Sequence, residues 1–161
     1  MKRTLFVLIA LASLAFALNS CLNGEMQSTP ELYASQMYRV HGGTQDTIRT
    51  TDSLSVGDSL RLPLIISGQY NHLKSFSVQS AGSVFDCRLE CDSAVLAVLT
   101  DDSKPEQGVL YFKPQATVIA SVNLWFVPKQ SGTHRMTFSV NNDATNEQYY
   151  HRDFYIDFAI R

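Results

Sequence analysis

Between Phe85 and Asp92 apolar and charged side chains alternate without a break: Phe85, Cys87, Leu89 and Cys91 fall on one side, Asp86, Arg88, Glu90 and Asp92 on the other. A period of two fits an extended strand with one buried face, because a helix would scatter these residues around its axis. The same period recurs in Leu60, Leu62, Leu64 and Ile66, in His134, Met136, Phe138 and Val140, and in Phe154, Ile156, Phe158 and Ile160. Val118 to Phe126 reads as another strand. Turn-forming residues separate these runs, at Gly42-Gly43, Gly57-Asp58, Ser67-Gly68, Gly82, Pro105 to Gly108, Ser131-Gly132 and Asn141-Asn142-Asp143. No stretch carries a helical stripe; Ser93 to Leu99 is ambiguous because Ala and Leu also favour helix, and residues 100–107 read as a loop. Residues 31–161 are therefore expected to form one all-β domain, an antiparallel β-sandwich of about seven to nine strands.

The first thirty residues follow other rules. Lys2 and Arg3 precede an apolar run from Leu5 to Leu18, interrupted by Ser13. The run is short for a bilayer span, which needs roughly 20 residues, and suits the core of an export signal. Leu18-Asn19-Ser20-Cys21 follows. This resembles the lipobox of bacterial lipoproteins, in which an aliphatic residue and a small residue lead to an obligatory Cys; Asn19 is a minor departure. The resemblance implies that residues 1–20 are a lipoprotein signal peptide and that Cys21 becomes the lipid-modified N-terminus. Its multiple acyl chains would give stable attachment where a single chain binds only marginally. In Gram-negative lipoproteins, the resemblance further implies, Asp after the Cys favours inner-membrane retention. Leu22 stands there instead, which points to the outer membrane, with the periplasmic and surface faces both open. Residues 22–30 are polar, contain Gly24 and Pro30, and read as a short tether.

Charge narrows the partners. Loss of Lys2 and Arg3 with the signal leaves 11 of the 13 basic side chains against 15 acidic ones, a net charge of −4. A mildly acidic chain without a basic cluster lacks the electrostatic footprint of a nucleic-acid binder. It also lacks the polybasic patch that draws proteins to anionic lipid, so membrane attachment is expected to come from the lipid anchor.

Two segments carry a further resemblance. Val56-Gly57-Asp58-Ser59-Leu60-Arg61-Leu62 is similar to the entry to the second strand of bacterial immunoglobulin-like domains. Pro128-Lys129-Gln130-Ser131-Gly132-Thr133-His134-Arg135-Met136 is similar to their E–F corner, where a Gly is followed two residues later by an aromatic that pins the corner. His134 stands where Tyr is commoner, and Met136 where antibody domains carry Cys, which removes the antibody-type disulfide. Residues 45–160 as a whole resemble the small immunoglobulin-like lipoproteins of Gram-negative anaerobes, a largely uncharacterised group. The resemblance implies an architecture and a location and little about activity.

Motifs for chemistry are missing. The sequence has no nucleophile elbow, paired-histidine zinc motif, phosphate loop or dinucleotide fingerprint. His41, His72, His134 and His151 occur singly, and a lone His is more often structural. Asp101-Asp102 and Asn141-Asn142-Asp143 offer oxygens to calcium, yet such residues also simply make turns. Cys87-x-x-x-Cys91 has the look of a soft-metal pair, but four residues of strand span roughly 13 Å, against the roughly 7 Å a disulfide tolerates. Both thiols are expected to be free and inward-facing. No catalytic residue, metal or cofactor is assigned. The working expectation is a non-enzymatic envelope module that binds a protein or a glycan or serves a structural role. The alternative is an enzyme or metal-dependent module whose site is assembled from loop residues.

Two sets of surface residues stand out. Asp46-Thr47-Ile48, Asp52-Ser53-Leu54, Asp58-Ser59-Leu60 and Asp92-Ser93-Ala94 each read Asp, hydroxyl residue, aliphatic. The pattern resembles the O-glycosylation acceptor of exported proteins in some Gram-negative anaerobes, which makes Thr47, Ser53, Ser59 and Ser93 candidates; Asp-Ser and Asp-Thr are also good turns. In the strand Val118–Phe126, placing Val118, Ala120, Val122, Leu124 and Phe126 in the core turns Ile119, Ser121, Asn123 and Trp125 outward. Beside Arg61, Pro63 and Ile65 of the neighbouring strand, Trp125 and Ile65 are then the candidate binding residues. The competing expectation is that Leu32 to Val40, with Tyr33 and Tyr38, folds over Trp125 and covers it.

The anchor has a direct check. Cys21→Ser should leave the domain folded and move it from the membrane fraction to the soluble one, because the acyl chains supply the attachment. A variant that still sediments with membranes would remove the lipobox assignment.

Overall fold

In a computed structural model, residues 27–80 and 83–161 are described. The export signal, Cys21 and the first part of the tether lie outside the described residues.

Among the described residues ten strands form two antiparallel sheets: β1 (Glu31–Ala34), β2 (Met37–His41), β3 (Thr44–Ile48), β4 (Leu60–Ser67), β5 (Leu73–Ser80), β6 (Phe85–Cys91), β7 (Val109–Tyr111), β8 (Ile119–Pro128), β9 (Gly132–Asn142) and β10 (His151–Ile160). The first sheet runs β3-β2-β4-β8-β6, with β1 also on β4, and the second runs β10-β9-β5-β7. Lettering β2, β4, β8 and β6 as A, B, E and D, and β10, β9 and β5 as G, F and C, gives the A-B-E-D and G-F-C sheets of a constant-type immunoglobulin sandwich. The expected fold is therefore present. The strand count exceeds the expected seven to nine because residues 31–48 supply three strands on one side of β4 and β7 adds a short edge beside β5.

Alternation decides what is buried. Leu60, Leu62, Leu64 and Ile66 of β4 pack with Ala120, Val122, Leu124 and Phe126 of β8, and face Phe76, Met136, Phe138, Val140 and Phe158 of the second sheet. Phe85, Phe126 and Phe158 meet pairwise with ring centroids 5.2–5.7 Å apart at one end of this core. Val118 corrects the expected register at its first position: the ladder begins at Ile119↔Ser67, so Val118 precedes the strand and is 39% exposed. Cys87 and Cys91 are free and half-buried against the core, as expected. Burial, reinforced by Asp86, pushes the Cys87 thiol up to about 12.

The ambiguous segment resolves as a short helix, α1 (Ser93–Val98), and a 3-10 turn (Pro105–Gln107) lies in the stretch read as loop. Asp92 caps α1 by accepting the Val95 N–H at 2.8 Å, and Val95 is its buried residue. Residues 27–30, part of the stretch read as tether, are joined to the domain. Ser28 Oγ accepts from the Tyr70 N–H, and the Ser28 carbonyl accepts from Asn142 Nδ2 at 2.9 Å.

The E–F corner is closed by His134. Its Nε2 donates to the Ser131 carbonyl at 3.0 Å, and its ring lies edge-on to Phe85 at 6.4 Å. Gly132, between them, has φ +122°, and a Cβ there would sit 3.1 Å from His134 Nε2. The conformation favours glycine and the ring leaves little room for anything else. His134→Ala should cost about 1 kcal/mol through the lost hydrogen bond and ring contact, and Gly132→Ala about 1–3 kcal/mol through backbone strain, read as lowered denaturant midpoints at unchanged m-value. Unchanged midpoints for both would show that His134 does not hold the corner.

Candidate functional site

The outward faces of the two sheets differ, and the strand registers say why. On the first sheet Tyr38 pairs with Arg61, Arg61 with Trp125, and Trp125 with Arg88, so four side chains from four strands form one row across the sheet. Within the row the Arg61 guanidinium lies over the Tyr38 ring at 5.0 Å, and that of Arg88 over Trp125 at 5.5 Å. The Trp125 indole Nε1–H donates to Glu90 Oε2 at 2.8 Å. Trp125 thus points outward, as the alternation indicates, and is half-buried. Residues 32–40 do not fold over it: β1 and β2 add to the edge of β4 within the same sheet. The cover comes from Arg88 and Glu90 on β6.

Beside this row lies an open trough of about 680 Å³ on the same face. Pro63, Ile65, Ser121 and Asn123 line it from β4 and β8, Tyr33 borders it on β1, and Glu90 and Asp92 lie on the other side. Tyr33 is 53% and Ile65 42% exposed, so the candidate Ile65 does present apolar surface. Trp125 is not among the trough-lining residues; it lines a smaller hollow of about 390 Å³ with Asp86, Cys87 and Arg88. Arg61 joins the row to the trough. One of its amino groups donates to Gln45 Oε1 at 2.9 Å, while its buried Nε has no partner.

The second sheet carries a separate cleft of about 670 Å³, lined by residues from β5, β7, β9 and the adjoining loops. It brings His72, Ser75, Asp102 and Asp143 together, the residue types of the assembled-site alternative. Their bonds are structural ones. Asp143 accepts from both the backbone N–H and the ring Nδ1 of His72, at 2.7 and 3.1 Å, and the Asp143 N–H donates back to the His72 carbonyl. The pair therefore staples the loop before β5 to the loop after β9. Ser75 Oγ accepts from Asn141 Nδ2 at 2.8 Å. Among the described residues no three His, Cys, Asp or Glu side chains converge as metal ligands, and no helix is long and apolar enough to cross a membrane.

The acceptor-like triplets also have structural duties. Asp52 accepts from the Arg49 N–H and Asp58 from the Ser55 N–H, both at 2.8 Å, and Asp92 caps α1. Asp58 additionally receives Arg39 Nε at 3.0 Å. These turn and cap roles account for part of the recurrence. Of the hydroxyl residues, Thr47 on β3 and Ser93 at the start of α1 are exposed, while Ser53 and Ser59 are half-buried.

No protein-family model matches the sequence, and comparison with curated proteins finds no significant match. Among solved structures the chain is similar to the crystal structure of the Salmonella SafD adhesin, at 11% identity and a TM-score of 0.44, covering 83% of this chain and 99% of that one. The fold assignment rests on the strand order described above.

The cover over Trp125 is open to measurement. Quenching of its fluorescence by acrylamide should be intermediate, and Arg88→Ala should increase it by stripping one face of the ring. If Arg88→Ala leaves quenching unchanged, the guanidinium does not shield the indole.

Proposed function

We propose that the chain is a lipid-anchored envelope protein whose immunoglobulin-like domain works by binding, and that the outer face of the β3-β2-β4-β8-β6 sheet receives a protein partner. The observation that carries the reading is the combination on one face of an open trough with exposed Tyr33 and Ile65, and an adjoining row of Tyr38, Arg61, Trp125 and Arg88. Tyr, Trp and Arg dominate the energetic centres of protein interfaces, because each buries a large area while keeping a polar group for a directed bond. Here the two stackings restrict the arginine side chains, so less of their conformational freedom is left to lose on binding. Arg61 Nε, buried and unpartnered, supports the same reading, since such donors are costly unless something accepts from them. In favour of binding over catalysis, the His72–Asp143 pair is engaged in joining two loops and Ser75 accepts from Asn141 across β5 and β9. Attachment through Cys21 would place the module at the outer membrane.

The reading is tested by capturing partners from native membranes with the full-length lipidated chain, with and without Ile65→Asp and Tyr33→Ala together. Both side chains are exposed, so the fold should hold, which circular dichroism checks. Loss of recovered partner by about tenfold is expected, the scale of removing a central interface contact. Identical recovery by a folded double variant would eliminate this face as the docking surface.

A further inference from the structure

The second sheet has no part in that docking surface, yet its cleft has the features of a small-ligand site. Register places Tyr111, Ser75, Asn141 and His151 in one transverse row over β7, β5, β9 and β10. Tyr111 and Tyr150 both line the cleft, and they are 45% and 44% exposed. Phe112, buried beside Tyr111, supplies an apolar part of the lining. Tyr111 is held rigidly: its N–H donates to Ser103 Oγ at 2.9 Å, and its carbonyl accepts from the Thr100 N–H at 2.8 Å and from Ser103 Oγ at 3.0 Å. Fixed at its backbone, Tyr111 offers a partly exposed ring as a platform at the cleft.

The polar groups around this platform include the hydroxyls of Ser75 and Thr100 and the amides of Gln115 and Asn141. Asp143 is engaged by the backbone and ring of His72, and the lining holds one lysine, Lys74, beside the two carboxylates of Asp102 and Asp143. Thr100 lines the cleft, and its Oγ1 is buried with no hydrogen-bond partner. Among the described residues the only other buried side-chain polar atom in that condition is Arg61 Nε. Gln115, also lining the cleft, has φ +54° at the third position of a turn closed by the Ala116 N–H and the Lys113 carbonyl. Pro114 at the second position suits a type II turn, but the third normally requires Gly or Asn. A long amide side chain is kept at the cleft in a backbone conformation that favours glycine.

Aromatic faces, neutral hydroxyls and planar amides together match one ligand class. A pyranose ring has apolar C–H faces that stack on tyrosine, and vicinal hydroxyls that both donate to and accept from amide and hydroxyl groups. A phosphorylated or strongly acidic ligand would want uncompensated cations, which the lining lacks. The volume falls in the range of small-ligand sites. We propose that this cleft binds an uncharged pyranose saccharide, stacked on Tyr111 and Tyr150 and hydrogen-bonded through Gln115 and Thr100 Oγ1. The proposal is independent of the anchor at Cys21 and of the trough on the first sheet.

The test is a titration of isotope-labelled full chain with a panel of uncharged mono- and oligosaccharides, up to about 10 mM, followed by amide chemical shifts. The expected result is saturable shifts for at least one sugar, centred on Tyr111, Gln115 and Tyr150. Tyr111→Ala and Tyr150→Ala should each weaken that binding about tenfold, and Thr100→Val, which keeps the shape and removes the hydroxyl, should weaken it without lowering stability. Ile65→Asp should leave it unchanged, which separates this site from the trough. Shifts centred on Ile65 and Trp125 would move the sugar to the other sheet and overturn the proposal. So would the absence of any saturable shift across the panel, or tyrosine variants that remain folded and bind as the wild type does.

Discussion

The β4–β8 ladder is the constraint on which the rest of the molecule depends. Its register, from Leu60↔Phe126 to Ser67↔Ile119, sets the inner and outer faces of the first sheet together. Because side chains alternate, a slip of β4 by one residue would send Leu60, Leu62, Leu64 and Ile66 to solvent and Ile65 into the core, and the same slip of β8 would turn out Val122, Leu124 and Phe126 and bury Trp125. Core and candidate surface are therefore specified by one pairing, and the penalty for exposing four large apolar side chains protects the surface row as firmly as the core. Trp125 owes its place opposite Arg61 to the burial of Leu60, Leu62, Leu64 and Ile66.

The same strand explains a break in its neighbour. Pro63 sits in the middle of β4 and has no N–H to give. Its carbonyl faces the N-terminal segment and accepts from the Ser35 N–H at 3.1 Å, so the missing donor faces that side too. The break between β1 and β2, at Ser35 and Gln36, lies opposite this gap. On its other side β4 pairs with β8 without interruption through Asn123. One proline thus divides the A strand in two without weakening the central ladder, and the open stretch beside it becomes the border of the trough, lined by Tyr33, Ala34 and Ser35.

The alternation of the long strands was legible in the sequence because burial on one face writes itself into every second residue. The E–F corner was legible because Gly132 and His134 keep the spacing that closure requires, even with His in place of Tyr. The N-terminal edge was not. Thr44 to Ile48 is almost wholly exposed and shows no period, so nothing local marks it as a strand; pairing with β2 does. Val118 looked like the first inward residue because the apolar run extends past the ladder's end. For Trp125, sequence gave the direction and not the company: Glu90 and Arg88 reach it from β6, 35 and 37 positions away in sequence, and only the strand register brings them over the ring. The cleft draws on separate segments, each of which reads by itself as an ordinary turn or strand end. Its one local clue is Gln115 following Pro114, where a turn would have welcomed glycine.

The fold also sets how the two cavities would stand to a membrane. Asn142, buried to 1% exposure, donates from Nδ2 to the carbonyls of both Ser28 and Gly68. It thereby joins the N-terminal segment to the end of the sandwich formed by the β4–β5 and β9–β10 loops. With the proposed anchor at Cys21, six residue steps reach Gln27, a span of at most about 20 Å. That end of the sandwich would then face the bilayer. His72, Asn142, Asp143 and Tyr150 put the saccharide cleft at this near end. The trough instead runs up the first sheet, from Ile65, two pairs from the near end of the β4–β8 ladder, to Arg61, one pair from the far end, where the row through Trp125 begins. A protein partner could approach that face from the side while a ligand occupies the cleft, because the two openings lie on opposite sheets and share no lining residue.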